Sequence, residues 1–223
     1  MKLLYVPAEE FLMGSTFSDS LLSNDELPQH TVYLDAFWID QTEVTNAMYR
    51  LCVQVGSCNT PSNTTFYTDT QFGNYPVVYV SWDDAQAYCQ WAGTKLPTEA
   101  QWEKAARGTD GRTYPWGEGI SCDKANFSHC GGNPVAVGSY PSGASPYGAL
   151  DMAGNVWEWV MDWYSEPYYA SSPRENPTGP TSGIERNIRG GSWSSEANFV
   201  RAAYRSAFTP DYHDDNDGFR CAR

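Results

Sequence analysis

Asp151-Met152-Ala153-Gly154-Asn155-Val156-Trp157-Glu158-Trp159 is the stretch on which the reading of the fold turns. Asp151 and Glu158 stand seven apart and bracket a Gly154-Asn155 turn. Hard carboxylate oxygens with backbone carbonyls between them form a donor set that suits Ca²⁺. Beyond the turn, Val156 to Trp163 reads as a short aromatic strand, because such residues fit a pleated, half-buried surface. Outward from this segment the C-terminal part is loop-rich. After residue 110 no helical period survives, and Gly, Pro, Ser and Asn punctuate the chain.

The N-terminal half carries the regular elements. Residues 1–40 read as extended: Phe11 to Ser15 ends in a turn, and Val32, Leu34 and Phe37 to Ile39 form a β-rich run after the polar loop 16–30. A first helix follows Thr45 as N-cap, with Met48, Leu51, Cys52 and Val55 on one face and Gly56 as its stop. Residues 57–76 read as polar loop. A second helix starts at Ser81, with Asp84 in capping-box position, Trp82, Ala85 and Cys89 on one face, and Gly93 at its end. The third has Thr98 and Gln101 as its capping box, an apolar face of Trp102, Ala105 and Ala106, and Gly108 beyond it.

Composition bounds the class. With 223 residues the chain suits one large domain with a sizeable core. Fourteen basic against 27 acidic side chains leave a net charge of −13, which argues against nucleic acid and against an anionic membrane surface. No apolar run is long enough to span a bilayer, so no membrane insertion is expected. The opening Met1-Lys2-Leu3-Leu4-Tyr5-Val6-Pro7 is too short and too soon polar for a signal peptide. Aromatic residues at 15% exclude disorder, and 19 Gly with 14 Pro exclude a helical bundle.

Six cysteines are available as staples, and sequence alone does not choose their pairing. Cys52 and Cys58, and Cys122 and Cys130, lie close across short loops, which leaves Cys89 and Cys221 over a long one. In the chain-entropy model the short loops contribute roughly 2.5 kcal/mol each and the long one about 5. Zinc is disfavoured, since there is no Cys-x-x-Cys and His30, His129 and His213 are scattered. Disulfides point to an oxidising compartment or the cell surface, or to a thermophile's cytosol. Gly-x-Ser-x-Gly, P-loop and Gly-x-Gly-x-x-Gly patterns are absent. The acidic run Asp211, Asp214, Asp215, Asp217 departs from an EF-hand at His213 and reads as a solvated loop.

Three further motifs join the opening one in a fixed order. Leu96-Pro97-Thr98-Glu99-Ala100-Gln101-Trp102-Glu103 precedes Gly154 to Trp159, and Arg189-Gly190-Gly191-Ser192-Trp193 and Gly218-Phe219-Arg220-Cys221 follow it. Met13-Gly14-Ser15, Glu43-Val44-Thr45-Asn46 and Tyr114-Pro115-Trp116-Gly117 add to the set. Together they resemble the formylglycine-generating enzyme family, the sulfatase-modifying factors, over essentially the whole chain. The resemblance implies a single α+β domain over residues 1–223, loop-rich, with a C-type-lectin-like core and little regular secondary structure.

What the resemblance implies for chemistry is mixed. The family's enzymes oxidise a substrate cysteine to formylglycine with a copper-binding cysteine pair, the first member lying just after Gly-Gly-Ser-aromatic. Here that stretch reads Trp193-Ser194-Ser195-Glu196-Ala197-Asn198-Phe199-Val200-Arg201, without a cysteine. Copper(I) asks for soft thiolates, so no copper is expected. Ergothioneine-pathway relatives hold iron on an added helical domain that is absent here. The expected function is therefore a non-catalytic ligand- or protein-binding domain, for which variable proteins of diversity-generating retroelements and domains appended to bacterial signalling proteins are the parallels. The alternative is an oxidoreductase that converts a substrate cysteine to formylglycine.

The resemblance also assigns residues. It pairs Cys89 with Cys221 and leaves Cys52–Cys58 and Cys122–Cys130 as local clamps. It places a structural calcium on the side chains of Asp151 and Glu158 and the carbonyls of Gly154 and Val156. For a second family calcium site near Asn126 and Phe127, the downstream acidic ligand has no match among Ser128 to Asn133. Ligand contact is expected at Tyr204, Phe208, Tyr212 and His213, where variable relatives expose theirs, with Trp193 in the core and Phe199 either core or part of the face. Aromatic rings among small polar residues resemble antibody contact surfaces. The expected partner is a protein or peptide, drawn in by the acidic run 211–217 if basic, and the domain is expected to be a monomer.

Overall fold

A computed structural model describes residues 2–17 and 21–223. Strand β1 (Leu3–Val6) pairs antiparallel with β4 (Phe37–Asp40), and β2 (Glu9–Met13) with β3 (His30–Leu34). Period-two burial fixes the second register: Phe11 and Met13 on β2, and Val32 and Leu34 on β3, face inward. His30, expected in the loop, opens β3, and its Nδ1 lies 2.9 Å from the Pro28 carbonyl oxygen.

Helix α1 (Asn46–Gln54) starts where Thr45 Oγ1 accepts the amide of Met48 at 3.3 Å. Its buried face differs from the expected stripe. Leu51 and Val55 are 55% and 63% exposed, whereas Tyr49 and Cys52 are buried. The reason is tertiary: Tyr49 stacks on Tyr88 and meets Phe219 and Tyr67 edge-on, so the aromatic cluster outbids the aliphatic one. The segment 57–76, expected as loop, contains the single-turn helix α2 (Thr65–Thr68) and a 3₁₀ turn at Thr70–Phe72. Asn63 and Asp69 cap them by accepting the amides of Thr65 and Gln71. Elements of four and three residues are too short to show a period.

Helices α3 (Trp82–Trp91) and α4 (Glu99–Arg107) begin in reciprocal capping boxes, Ser81 with Asp84 and Thr98 with Gln101. The amphipathic reading of α4 is incomplete, because Glu99, Glu103, Lys104 and Arg107 are buried along with Trp102, Ala105 and Ala106. Four strands then form one sheet in the order β7 (Ser206–Phe208), β6 (Arg186–Arg189), β5 (Trp157–Trp163), β8 (Asp217–Phe219). The β5–β8 pair is parallel and the others antiparallel. The chain's end closes the fold: Arg223 and Trp38 exchange backbone hydrogen bonds at 2.8 Å, and Ala222 does so with Lys95 at 2.7 and 2.9 Å. Three disulfides, Cys52–Cys58, Cys89–Cys221 and Cys122–Cys130, leave no free thiol. They accord with an oxidising environment. Among the described residues no helix is long and apolar enough to cross a membrane.

One buried acid makes stability depend on pH. Asp162 Oδ2 accepts the amide of Glu99, the first residue of α4, at 2.8 Å. Burial, and then the Glu99 charge, push its pKa up to about 8. A pKa raised on folding contributes stability that is complete below the unfolded value near 4 and is lost as pH rises through about 8. Urea denaturation between pH 5 and 8 should therefore show this loss, with a slope of up to about 1.4 kcal/mol per pH unit from this group. Asp162→Asn should flatten that slope.

Candidate functional site

The 151–158 loop is built inward. Gly154 has φ of 79°, and a Cβ there would stand 2.0 Å from the Asn126 carbonyl oxygen, so only glycine permits the Asn126–Gly154 bridge. Asp151 and Asn155 also adopt positive φ, which short polar side chains tolerate. Asp151, Gly154, Val156 and Glu158 are all buried. Asp151 Oδ2 accepts the Gly138 amide at 2.6 Å. Glu158 is held by Arg220 through both oxygens, at 2.6 and 2.7 Å, and by Trp102 Nε1 at 2.8 Å.

The sequence reading assigned no role here to Glu43. It is fully buried, its Oε1 accepts from Asn155 Nδ2 at 2.9 Å, and its side chain shares a hydrogen bond with that of Asp151. Burial and the charges of Asp151 and Glu158 push it well above the usual carboxylate range. Three buried carboxylates thus share one nearby guanidinium, Arg220. Surplus negative charge and closely set hard oxygens form the chemistry that a calcium ion would answer. Among the described residues no three His, Cys, Asp or Glu side chains converge as a metal site. A cation held here would draw on backbone carbonyls as well.

The C-terminal segment places its aromatics in two groups. Tyr204 meets Phe199 edge-on at 5.0 Å between ring centres, with Trp157 of β5 at 6.1 Å. Phe208 and Tyr212 stack at 4.2 Å. All five rings are half-buried, as is Trp193, so Trp193 is not the closed core residue expected. His213 is exposed, and its Nδ1 lies 2.8 Å from the Asp211 carbonyl oxygen. Trp157 was missed because the strand reading of Val156 to Trp163 assigned no ring to either face. Its signal was its place at the first residue of β5, where pairing begins.

The acidic run is not uniformly solvated, which corrects the sequence reading. Asp211 is exposed, Asp214 accepts from Tyr212 Oη at 3.1 Å, but Asp217 is fully buried with neither carboxylate oxygen paired. Burial, then Asp214, push Asp217 up to about 7. The cause is positional, since Asp217 begins β8 and pairs with Trp157.

Ser195 stands two residues beyond Gly190-Gly191-Ser192-Trp193. Gly191 has φ of 70°, and a Cβ there would strike Val200 Cγ1 at 2.5 Å, so the turn folds tightly over the following segment. Ser195 Oγ accepts the Ser192 amide at 2.9 Å and lies 3.2 Å from Ser192 Oγ. These are neutral hydroxyls knotting a turn. Among the described residues no histidine or carboxylate hydrogen-bonds to them.

The profile of the sulfatase-modifying factor enzyme 1-like domain matches residues 1–223. A formylglycine-generating enzyme of Streptomyces coelicolor is 38% identical, over 97% of this chain and 87% of that protein. The serine/threonine-protein kinase pkn1 of Chlamydia caviae is 35% identical over all of this chain, which spans only 38% of the kinase. Among solved structures, PvdO from Pseudomonas aeruginosa superposes with a TM-score of 0.85 at 26% identity, covering 99% of this chain and 93% of that one. Treponema denticola variable protein 1 superposes with a TM-score of 0.80 at 25% identity, covering 99% and 94%.

Proposed function

The chain belongs to the sulfatase-modifying factor enzyme 1-like domain family, and from that premise we propose that it is a non-catalytic protein- or peptide-binding domain of that fold. One observation carries the reading. The position that would supply the first copper thiolate is Ser195, and every cysteine is committed to a disulfide. Soft Cu(I) has no ligand pair to bind. The likeness to a variable protein supports a display scaffold, of the kind found in diversity-generating retroelements. The second reading, oxidation of a substrate cysteine to formylglycine, is favoured by the 38% identity to an enzyme of that name. Anaerobic Cu(I) titration in the presence of a cysteine-containing peptide separates the two. We expect neither stoichiometric binding nor an aldehyde product; both together would establish the second reading.

Contact is assigned to Tyr204, Phe208, Tyr212 and His213, with Trp157 and Phe199 extending the face. Half-buried rings already ordered by stacking lose little entropy on binding. Once a partner is captured by photocrosslinking from position 213, Tyr204→Ala or Tyr212→Ala should weaken its binding by about 2 kcal/mol or more. The melting temperature should barely change. Unaltered affinity in all four alanine variants would place the interface elsewhere.

Calcium at Asp151, Gly154, Val156 and Glu158 belongs to the same proposal, with Glu43 as a further oxygen donor. Its contribution would be structural, neutralising buried carboxylates behind the face. At calcium 100 times its Kd the domain should gain about 2.7 kcal/mol. A melting temperature that is unchanged by EDTA would show that no such ion is bound.

A further inference from the structure

Beside Tyr204 the surface opens into a pocket of about 420 Å³. Its lining includes Asp25, Tyr164, Glu166, Glu185, Tyr204 and Ser206, the last on the edge strand β7. Asp25 is only 6% exposed, and its Oδ2 accepts from Tyr164 Oη at 3.0 Å while its Oδ1 has no partner. The one cation in the wall, Arg205, is already matched: its Nε and Nη2 donate to Glu99 at 2.8 and 3.1 Å, and its Nη1 to the Asp25 and Ser165 carbonyls. Among the described residues, Asp25, Glu166 and Glu185 form no ion pair. A buried carboxylate oxygen without a donor is costly unless something supplies one. Two more carboxylates in the lining make a cation the suitable donor.

We propose that this pocket is a subsite for a guanidinium or ammonium group, namely an arginine or lysine side chain of the polypeptide that occupies the adjoining aromatic face. The inference rests on the binding-face reading for the identity of the occupant, and on the pocket alone for its charge. Tyr204 belongs to both surfaces, so a chain crossing that ring has the pocket within reach of one side chain. A planar guanidinium offers several donors in a fixed fork, enough to engage Asp25 Oδ1 and a rim glutamate together. A divalent metal is less suited, because only one of the three carboxylates is buried and calcium asks for six or more oxygens.

The test is a heteronuclear NMR titration of the full chain with acetyl-Ala-Arg-Ala-amide, against the same tripeptide carrying neutral citrulline. Saturable shifts are expected at the amides of Asn24, Asp25, Ser206 and Ala207, with affinity about tenfold or more above the citrulline peptide, since a charge-assisted bond is roughly twice a neutral one. Glu166→Gln with Glu185→Gln should weaken the arginine peptide several-fold. Both side chains lie on the rim without described hydrogen bonds, so folding should be unaffected. Equal affinity for citrulline, no loss in the double variant, or shifts spread over the acidic loop 211–217 would each overturn the proposal. So would saturation of the same amides by CaCl₂ at lower concentration. Phe208→Ala with Tyr212→Ala should leave the tripeptide's affinity unmoved while abolishing partner binding, so the pocket and the aromatic face can fail separately.

Discussion

Removal of the Cys89–Cys221 bridge, by Cys89→Ala with Cys221→Ala, is expected to lower stability by about 5 kcal/mol. The two residues are 132 apart in sequence. In the chain-entropy model a cross-link over so long a loop restricts the unfolded ensemble far more than the local clamps Cys52–Cys58 and Cys122–Cys130, at roughly 2.5 kcal/mol each. The bridge also joins two layers. Cys89 lies on the buried face of α3, and Cys221 follows β8 and leads into the terminal residues that pair with Trp38 and Lys95. Both sulfurs sit in the aromatic cluster around Tyr49, Tyr88 and Phe219, so alanine adds a small packing loss. For a chain of this size each kcal/mol moves Tm by about 2–4 °C, so the variant should melt roughly 10–20 °C lower. Loss of either short bridge alone should cost less than half as much. A comparable loss from Cys52→Ala with Cys58→Ala would show that loop length does not govern these bridges.

That bridge was within reach of sequence reading through spacing and family likeness together, since six cysteines alone admit many pairings. The capping boxes at Ser81 and Thr98, the turn at Gly154 and the aromatic strand after it were legible because their signals are local: a side chain that caps its own helix, a glycine beside an Asn. The buried face of α1 was not legible. Its aliphatic stripe is intrinsically as good as the Tyr49 side, and only the position of Phe219, far along the chain, decides between them. The same holds for the candidate sites. Asp151 and Glu158 declare themselves by spacing, whereas Glu43 reaches them from another segment. Asp217 looked like one more solvated acid, and only the pairing of β8 with β5 buries it.

The largest feature that sequence reading passed over is a buried ion network, and breaking it should be as damaging as losing the long disulfide. Glu99 and Glu103, one turn apart on α4, meet Arg189 of β6 at 3.1 and 2.6 Å. Arg205 adds to Glu99, Arg107 to Glu103 at 2.9 Å, and the Gly14 amide donates to Glu103 at 2.8 Å. Arg189 also donates to the carbonyls of Ala202 and Ala203. These side chains are almost wholly buried, so each charge is tolerated only because the others face it. Glu103→Gln leaves two buried guanidinium groups short of an anion and should cost about 3–5 kcal/mol. Arg189→Met should cost a similar amount. The double change Glu103→Leu with Arg189→Met should cost less than the two single losses added together, because desolvation is removed with the pair. The pH response carries the same signature with a definite sign. Burial pushes Glu103 up, but Arg189 and Arg107 outweigh it and hold its pKa below the ordinary glutamate value of 4.5. Its contribution is therefore present above that value and lost as pH falls through the folded pKa. Glu103→Gln should abolish that part of the acid limb of unfolding. If the single variants prove additive, or the acid limb persists unchanged, the five charges do not act as a unit, and α4 is held to the sheet by its apolar face alone.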